Sequence, residues 1–475
     1  MTTQVRTNGK LPPKHAIDEL RRVLNAAGGS AAEILLPQDA AYEATVKDVW
    51  NGDVVGIRPL MFIRCTNTHD VVHAVKFARQ HNLDLTVAAG RHGVRCFKEG
   101  ALCIDLCKMR GVHVDPIAMT ATVAGGARNG DLDHACQLYN VGTPAGTNSD
   151  TGVGGLTLGG GWGWMARSRG MTIDNVLQAE IVLADGTVAV ASETSNPDLF
   201  YAVRGAGHNY GVITSLTFRV HPVPVCVAGP IVYPIAKAEE VLMIWLPASL
   251  AIPRKLGVGA LLRPAPRGSF CMLHPVYLGD SQSEAEALIK PFRTIAGKPL
   301  VDQVQLRPYR ELQRYADDQM PKGARYYQKS LLVSGLTKEA LQVCIDWFKR
   351  APQGPDKNCS MELLPFDGAI RDKSADAMAF VHRVADHWVL LGGKYTSPSA
   401  KDEVAAWVNG YYQALAPWTV GDMTNSPGST DASGSIEKTL QRNFERLSEI
   451  KAKYDPQDVF CNGTVHVPPK RTARL

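Results

Sequence analysis

Between Gly152 and Gly163, seven of twelve residues are glycine, and no other stretch limits so sharply what this chain can fold into. Glycine offers no side chain to pack and adds chain entropy. Such density persists only where backbone turns through positive φ or approaches something closely, and the usual close companion is a phosphate cradled by backbone N–H groups. Val153, Leu156, Leu158, Trp162 and Trp164 interrupt the glycines with core-forming side chains, so the stretch is not low complexity. It is neither a GxxxxGK[ST] loop nor a GxGxxG turn with an acid about 20 residues on. Composition alone leaves a turn between buried strands and a diphosphate cradle equally open.

The length, 475 residues, suggests two or three domains with ample apolar mass for a core. A net charge of +5 spread along the chain points to neither nucleic acid nor an anionic membrane. No apolar run is long enough to span a bilayer, and Met1 opens no export signal, so the expectation is an intracellular, cytoplasmic protein with its ten cysteines reduced. Those cysteines include no CxxC pair or ligand cluster, so no metal is expected. The C-terminal Ala473-Arg474-Leu475 resembles the SKL-type peroxisomal address, which matters only in a eukaryote.

Along the chain, the first dozen residues are expected to lack regular structure, and a helix begins near His15. Phe62 to Cys65 reads as a strand, followed by a helix opened by Asn67 with Val71, Val72, Val75 and Ala78 on one face. The strand Asp84 to Ala89 runs into Gly90-Arg91-His92-Gly93. Asp185-Gly186 marks a hairpin, Asn196 a helix cap, and Gly211 to Val220 an alternating, half-buried strand. Composition shifts at His221-Pro-Val-Pro, a domain boundary. Beyond it, strands (Val258 to Leu262, Lys329 to Val333, Trp388 to Leu391) alternate with helices, predicting an α+β domain with an antiparallel sheet. A final helix is expected over Ile436 to Lys453.

Three separated segments, in order, resemble FAD-linked oxidases of the vanillyl-alcohol oxidase / p-cresol methylhydroxylase superfamily, in its berberine-bridge-enzyme-like branch. Gly90-Arg91-His92-Gly93 resembles the family's GGH segment, whose histidine joins the flavin 8α-methyl carbon. Pro144-Ala-Gly through Gly163 resembles its pyrophosphate loop, and Tyr454-Asp-Pro-Gln-Asp-Val-Phe its closing YDPxNxF signature. Supporting pieces are Asp174-Asn-Val and Ala379-Phe-Val-His-Arg. The resemblance covers about residues 55 to 465 and implies an α+β fold: a PCMH-type FAD-binding domain (1–224, core about 55–222), an inserted antiparallel-sheet substrate domain (225–429), and a segment (430–475) returning to the FAD domain. It implies FAD contacts at Ala89, Gly90, Arg91, His92, Gly93, Gly146, Thr147, Asn148, Thr151, Gly152, Gly154, Gly155, Leu158, Gly159, Gly161, Trp162, Gly211, Ile213 and Asn462.

The departures from the family pattern are as informative. Asn148 stands where the doubly linked branch has a flavin-bonding cysteine, so attachment is expected through His92 only. Arg91 replaces the middle glycine of GGH, and Leu156 a histidine common in relatives. The tyrosine of a YxN segment, the base in many members, falls on Met423, and a second polar position falls on Leu391. The remaining candidates for the catalytic base are Tyr327 and Glu362: a tyrosine on a strand is commonly a core aromatic, and a glutamate among apolar neighbours has a raised pKa if buried. Arg167 and Arg169 read as a solvated face, and Asp131 and Asp133 as helix-start charges.

These readings imply an FAD-dependent oxidoreductase acting on a small organic substrate (an alcohol, a sugar or a secondary metabolite) and passing its electrons to O2. A dehydrogenase with another acceptor, and a flavin-binding protein without turnover, are the alternatives. Thr151 borders oxygen access to the ring in this family, and its intermediate size favours neither acceptor.

Overall fold

The computed structural model describes residues 9–26, 31–223, 225–266, 268–423, 425, 440 and 443–470. The expectations for the first eight residues, the start of the last helix and Ala473-Arg474-Leu475 lie outside them.

Short apolar strands build the first sheet, ordered Glu33–Leu35, Met61–Arg64, Leu102–Asp105, Leu85–Ala88, with the last three parallel. The two central strands are almost entirely buried, as strands covered on both faces must be. The crossover is the helix Thr68–Gln80, whose first turn is fixed by Asn67 Oδ1 accepting from the Asp70 N–H at 3.1 Å. A second, antiparallel sheet orders Val112–Asp115, Thr120–Ala124, Val212–Arg219, Val176–Val182 and Val188–Ser192. The Asp185-Gly186 hairpin joins its last two strands, with Gly186 at φ +83°.

A ten-stranded antiparallel sheet forms the other half of the molecule, with Leu256–Arg263, Lys357–Pro365, His387–Tyr395 and Arg325–Val333 side by side. Alternation decides what each strand shows to either side. Tyr327, Leu331, Met361, Leu363, Val389 and Leu391 point into a core shared with Trp245, Phe348 and Trp407 of the covering helices. The intervening residues face the glycine-rich stretch.

The helix Phe444–Tyr454 returns to the second sheet, burying Leu447 and Ile450 in its core. Lys451 is fully buried there, donating to Asp455 at 2.6 Å and to the carbonyls of Asn209 and Phe460. Two buried ion pairs lock the halves together: Arg167 donates to both oxygens of Asp367 at 2.7 and 3.1 Å, and Arg383 to both of Asp174 at 2.7 and 2.8 Å.

Three sequence expectations are corrected here. Arg167 is no solvated face, because it also donates to the carbonyls of Ile252, Pro253 and Leu256 across the interface. Asp133 is no helix-start charge, because it is buried and accepts from Gln313 at 3.2 Å. Asn196 makes no side-chain cap; its backbone is left-handed at φ 45° and its amide donates to Val190 O at 2.8 Å.

Candidate active site

The ends of the first two sheets converge where the glycines lie. A β-carbon on Gly152 would stand 2.5 Å from Gly90 N, and one on Gly154 2.8 Å from Gly125 O. These glycines are therefore required by backbone pressed on backbone. Gly155 and Gly93 differ: no atom lies within 4 Å of where a side chain would begin. Both open onto one cavity of 430 Å³ that runs from this cradle to the ten-stranded sheet. Asn425 stitches the cradle to the far half, its Nδ2 donating to the carbonyls of Gly155 and Leu156 at 2.6 and 3.1 Å and its Oδ1 accepting from His208 Nε2 at 2.8 Å.

All but two of the site residues expected from sequence line this cavity. The exceptions are Gly159, backed by the Asn425 side chain, and Tyr327. Tyr327 is corrected as a base: it occupies the helix-covered face of its strand, with its hydroxyl donating to Asn409 Oδ1 at 3.1 Å. Arg91 lines the cavity with backbone only in effect, since its guanidinium turns inward to Asp105, at 2.5 Å, and to Asp48. Its φ of +59° is a conformation natural to glycine, and the two ion pairs offset a strain of about 1–3 kcal/mol.

His92 is held on three sides. Asp150 bonds Nε2 at 2.8 Å, Thr151 Oγ1 lies 3.4 Å from Nδ1, and Trp50 stacks on the ring at 5.0 Å. Burial works against the ionised form of Asp150, but the hydrogen bond and charge of His92, with Arg128 and Lys322, hold its carboxyl below the usual range. A carboxylate on Nε2 matches the tautomer with its proton there, in which Nδ1 accepts from the Thr151 hydroxyl.

On the opposite wall Glu362 is half-buried, and desolvation raises its pKa against the opposing field of Arg263. No described residue hydrogen-bonds its carboxylate. Met423 lines the cavity beside it as an apolar surface, and Leu391 belongs to the core behind the sheet. Sequence reasoning missed Arg263, Gln328, Ser360, His274 and Trp388, which also line the cavity. The signal was available: polar residues at every second position of otherwise apolar strands, as in Cys359-Ser-Met-Glu-Leu. Trp50 and Asp150 carried no such signal, because their roles depend on contacts far apart in sequence.

Side-chain-free backbone thus floors the cleft, and a sheet bearing one desolvated carboxylate roofs it. Family models for an FAD binding domain and for berberine and berberine-like proteins match residues 59–192 and 437–464, and the chain belongs to the berberine-bridge-enzyme-like FAD-linked oxidoreductases. It is 33% identical to an FAD-linked oxidoreductase of Dictyostelium discoideum over 427 residues, 89% of this chain and 92% of that one. It is 26% identical to a xylooligosaccharide oxidase of Thermothelomyces thermophilus over 443 residues, 85% of this chain and 86% of that one. The solved structure of 6-hydroxy-D-nicotine oxidase from Arthrobacter nicotinovorans shares the fold, with a TM-score of 0.84 at 23% identity over 93% of this chain and 98% of that one. FAD is therefore the cofactor, and the protein is an FAD-dependent oxidoreductase. No helix among the described residues is long and apolar enough to cross a membrane.

Proposed function

We propose that the protein oxidises a carbinol carbon of a small hydroxylated substrate, with Glu362 taking the hydroxyl proton and O2 the final electrons. The observation that carries this reading is the placement of Glu362, a carboxylate with no hydrogen-bond partner among the described residues, raised by burial, on the cavity wall facing the cradle. A base works best when its pKa lies near the operating pH, and burial moves a glutamate that way. FAD, when bound, supplies the acceptor for the two electrons of the C–H bond. The backbone of Gly155 and its neighbours leaves room for a diphosphate, and Trp162 and Met423 give the cavity an apolar wall. Relatives named as oxidases of hydroxynicotine and xylooligosaccharide support O2 as the acceptor, whereas a structural neighbour is named a glucose dehydrogenase, so the exposure to air in the test below decides the acceptor.

In this reading FAD is attached through His92 alone. Asp150 on Nε2 and Trp50 on the ring face leave Nδ1 directed for that bond, and the amide of Asn148 offers no second one. The domain limits expected from sequence, at 224 and 430, lie outside the described residues. The test is anaerobic mixing of the yellow holoprotein with a panel of alcohols and sugars, followed by air. Bleaching, then recovery of colour with stoichiometric peroxide, is the expected result; bleaching that air does not reverse points to another acceptor, and no bleaching with any reductant overturns the reading.

A further inference from the structure

The cavity continues outward past Glu362 into a second chamber of 220 Å³, which shares Arg263, Gln328, Ser360 and Gly392 with the first. Strand pairing arranges its wall in rows. Glu362 lies opposite Leu390; Ser360 opposite Gly392, itself opposite Gln328; Asn358 opposite Lys394, itself opposite Tyr326. Leu262 pairs with Met361, so Arg263 falls beside the Ser360 row. Residues two apart on a strand are separated by about 7 Å. Glu362, Arg263 and Lys394 therefore occupy successive rows from the reacting end outward. Gly392 keeps the middle row open, since a β-carbon there would come within 2.6 Å of Gln328 Cγ.

The charges of this wall are unbalanced. The fully buried arginines each have an aspartate: Arg91 has Asp105, Arg167 has Asp367, and Arg383 has Asp174. Arg263, half-buried, has none; Arg204 and Arg307 share that lack and donate to backbone carbonyls, but of the three Arg263 is the one that lines the cavity. Its guanidinium donates to the neutral Gln319, its Nε is buried without a partner, and no carboxylate of the described residues lies within the 4.0 Å of an ion pair. Lys394 is likewise without an acidic partner at that distance. Glu362 lies one row inward of Arg263, and the two form neither a hydrogen bond nor an ion pair. The chamber's own acid is Asp318, which against two cations leaves a net positive charge. Shielded cations are normally paired, and a cavity that holds one unpaired is built for an anion from outside.

We propose that the outer chamber binds a carboxylate of the substrate, held by Arg263 with Lys394 behind it, so that the enzyme's substrates are hydroxy acids oxidised at a carbinol about one row inward, beside Glu362. The guanidinium fork suits a planar carboxylate. The reaction balances as the Proposed function describes: the carbinol loses two electrons to FAD and its hydroxyl proton to Glu362, and O2 leaves as hydrogen peroxide. The inference rests on that reading for the direction of the substrate, but its test is separable.

Two matched pairs of probes serve: 4-(hydroxymethyl)benzoate with 4-(hydroxymethyl)benzamide, and glucuronate with glucose. Each is titrated into anaerobic, oxidised holoprotein, with binding read from the shift of the flavin absorbance band and reduction from its bleaching. At least one acid is expected to bind roughly ten-fold or more tightly than its neutral twin, the worth of one charge-assisted hydrogen bond. Arg263→Gln should remove most of that ratio, and Lys394→Gln a smaller part. Glu362→Gln should keep the ratio while slowing bleaching, which separates this inference from the assignment of the base. Equal binding within both pairs, no binding by either acid at millimolar concentration, or an equal loss for acid and twin in Arg263→Gln overturns the proposal.

Discussion

Trp50 lies flat against His92, with ring centroids 5.0 Å apart and planes 16° from parallel, and stacks as closely on Tyr326 at 4.3 Å and 10°. The indole N–H donates to Met320 O at 3.3 Å, so the plate that steadies the imidazole is itself pinned to the substrate-side half. Trp50→Ala should free His92 to turn. The expected outcome is a smaller share of flavin that stays in the acid-precipitated pellet, with total FAD per folded chain little changed, while Trp50→Phe keeps most of the parent share. The ratio of pellet to supernatant absorbance measures it.

His92→Ala should release all flavin on acid denaturation, whereas Asn148→Ala should release none. A His92 peptide carrying the flavin mass checks the same attachment directly. Yellow supernatant from the unmodified protein would falsify the covalent link and leave a tight noncovalent site.

Glu362→Gln should slow anaerobic flavin reduction on the order of a hundred-fold or more while FAD remains bound. The sign with pH follows from burial, which raises the glutamate's pKa. The base is protonated and idle at low pH, so the parent rate climbs as pH rises through that raised value and then levels. Glu362→Gln should show a flat profile over that limb. Tyr327→Phe, on the far face of the sheet, should keep the parent's rate and limb.

Asp133 is buried and pushed up to about 7 by desolvation, relieved only in part by the Gln313 hydrogen bond. Its folded form prefers the proton, so the parent loses stability as pH rises from about 4 to about 7 and loses no more above that. Asp133→Asn should be more stable than the parent at pH 8, by an amount on the order of 2–4 kcal/mol, and the gain should vanish near pH 4. Denaturant unfolding at the two pH values reads the difference.

Arg167→Ala strands Asp367 as an unpaired buried charge and leaves three carbonyls without their donor. A loss of about 3–5 kcal/mol is expected, seen as a lower denaturation midpoint for the whole chain.

Much of this was readable from residue order. The glycine stretch, the strand before His92 and the alternation of Leu216 and Phe218 rest on local rules of backbone freedom and period, and local rules are visible in sequence. The face on which Tyr327 sits was not, because a one-residue choice of register sends a side chain to the cavity or to the core. Period-2 counting from Glu362 would have grouped it with Ser360 and Asn358, but nothing local fixes which parity faces the flavin. Arg167 and Asp133 misled for a different reason. Each is an ordinary charged residue on an ordinary helix, and its partner, Asp367 or Gln313, lies on the other side of the proposed boundary at 224.

The pairs Arg167–Asp367 and Arg383–Asp174 have a bearing on traffic as well as on stability. A roof that swung away from the cradle would part both pairs, and the three carbonyls that Arg167 holds, in every catalytic cycle. Entry and exit that leave both pairs intact must use an opening that stands as it is, not one made by a moving roof. Throughput in such an enzyme depends on the width and charge of a passage, and making the solvent more viscous should slow it no more than it slows free diffusion.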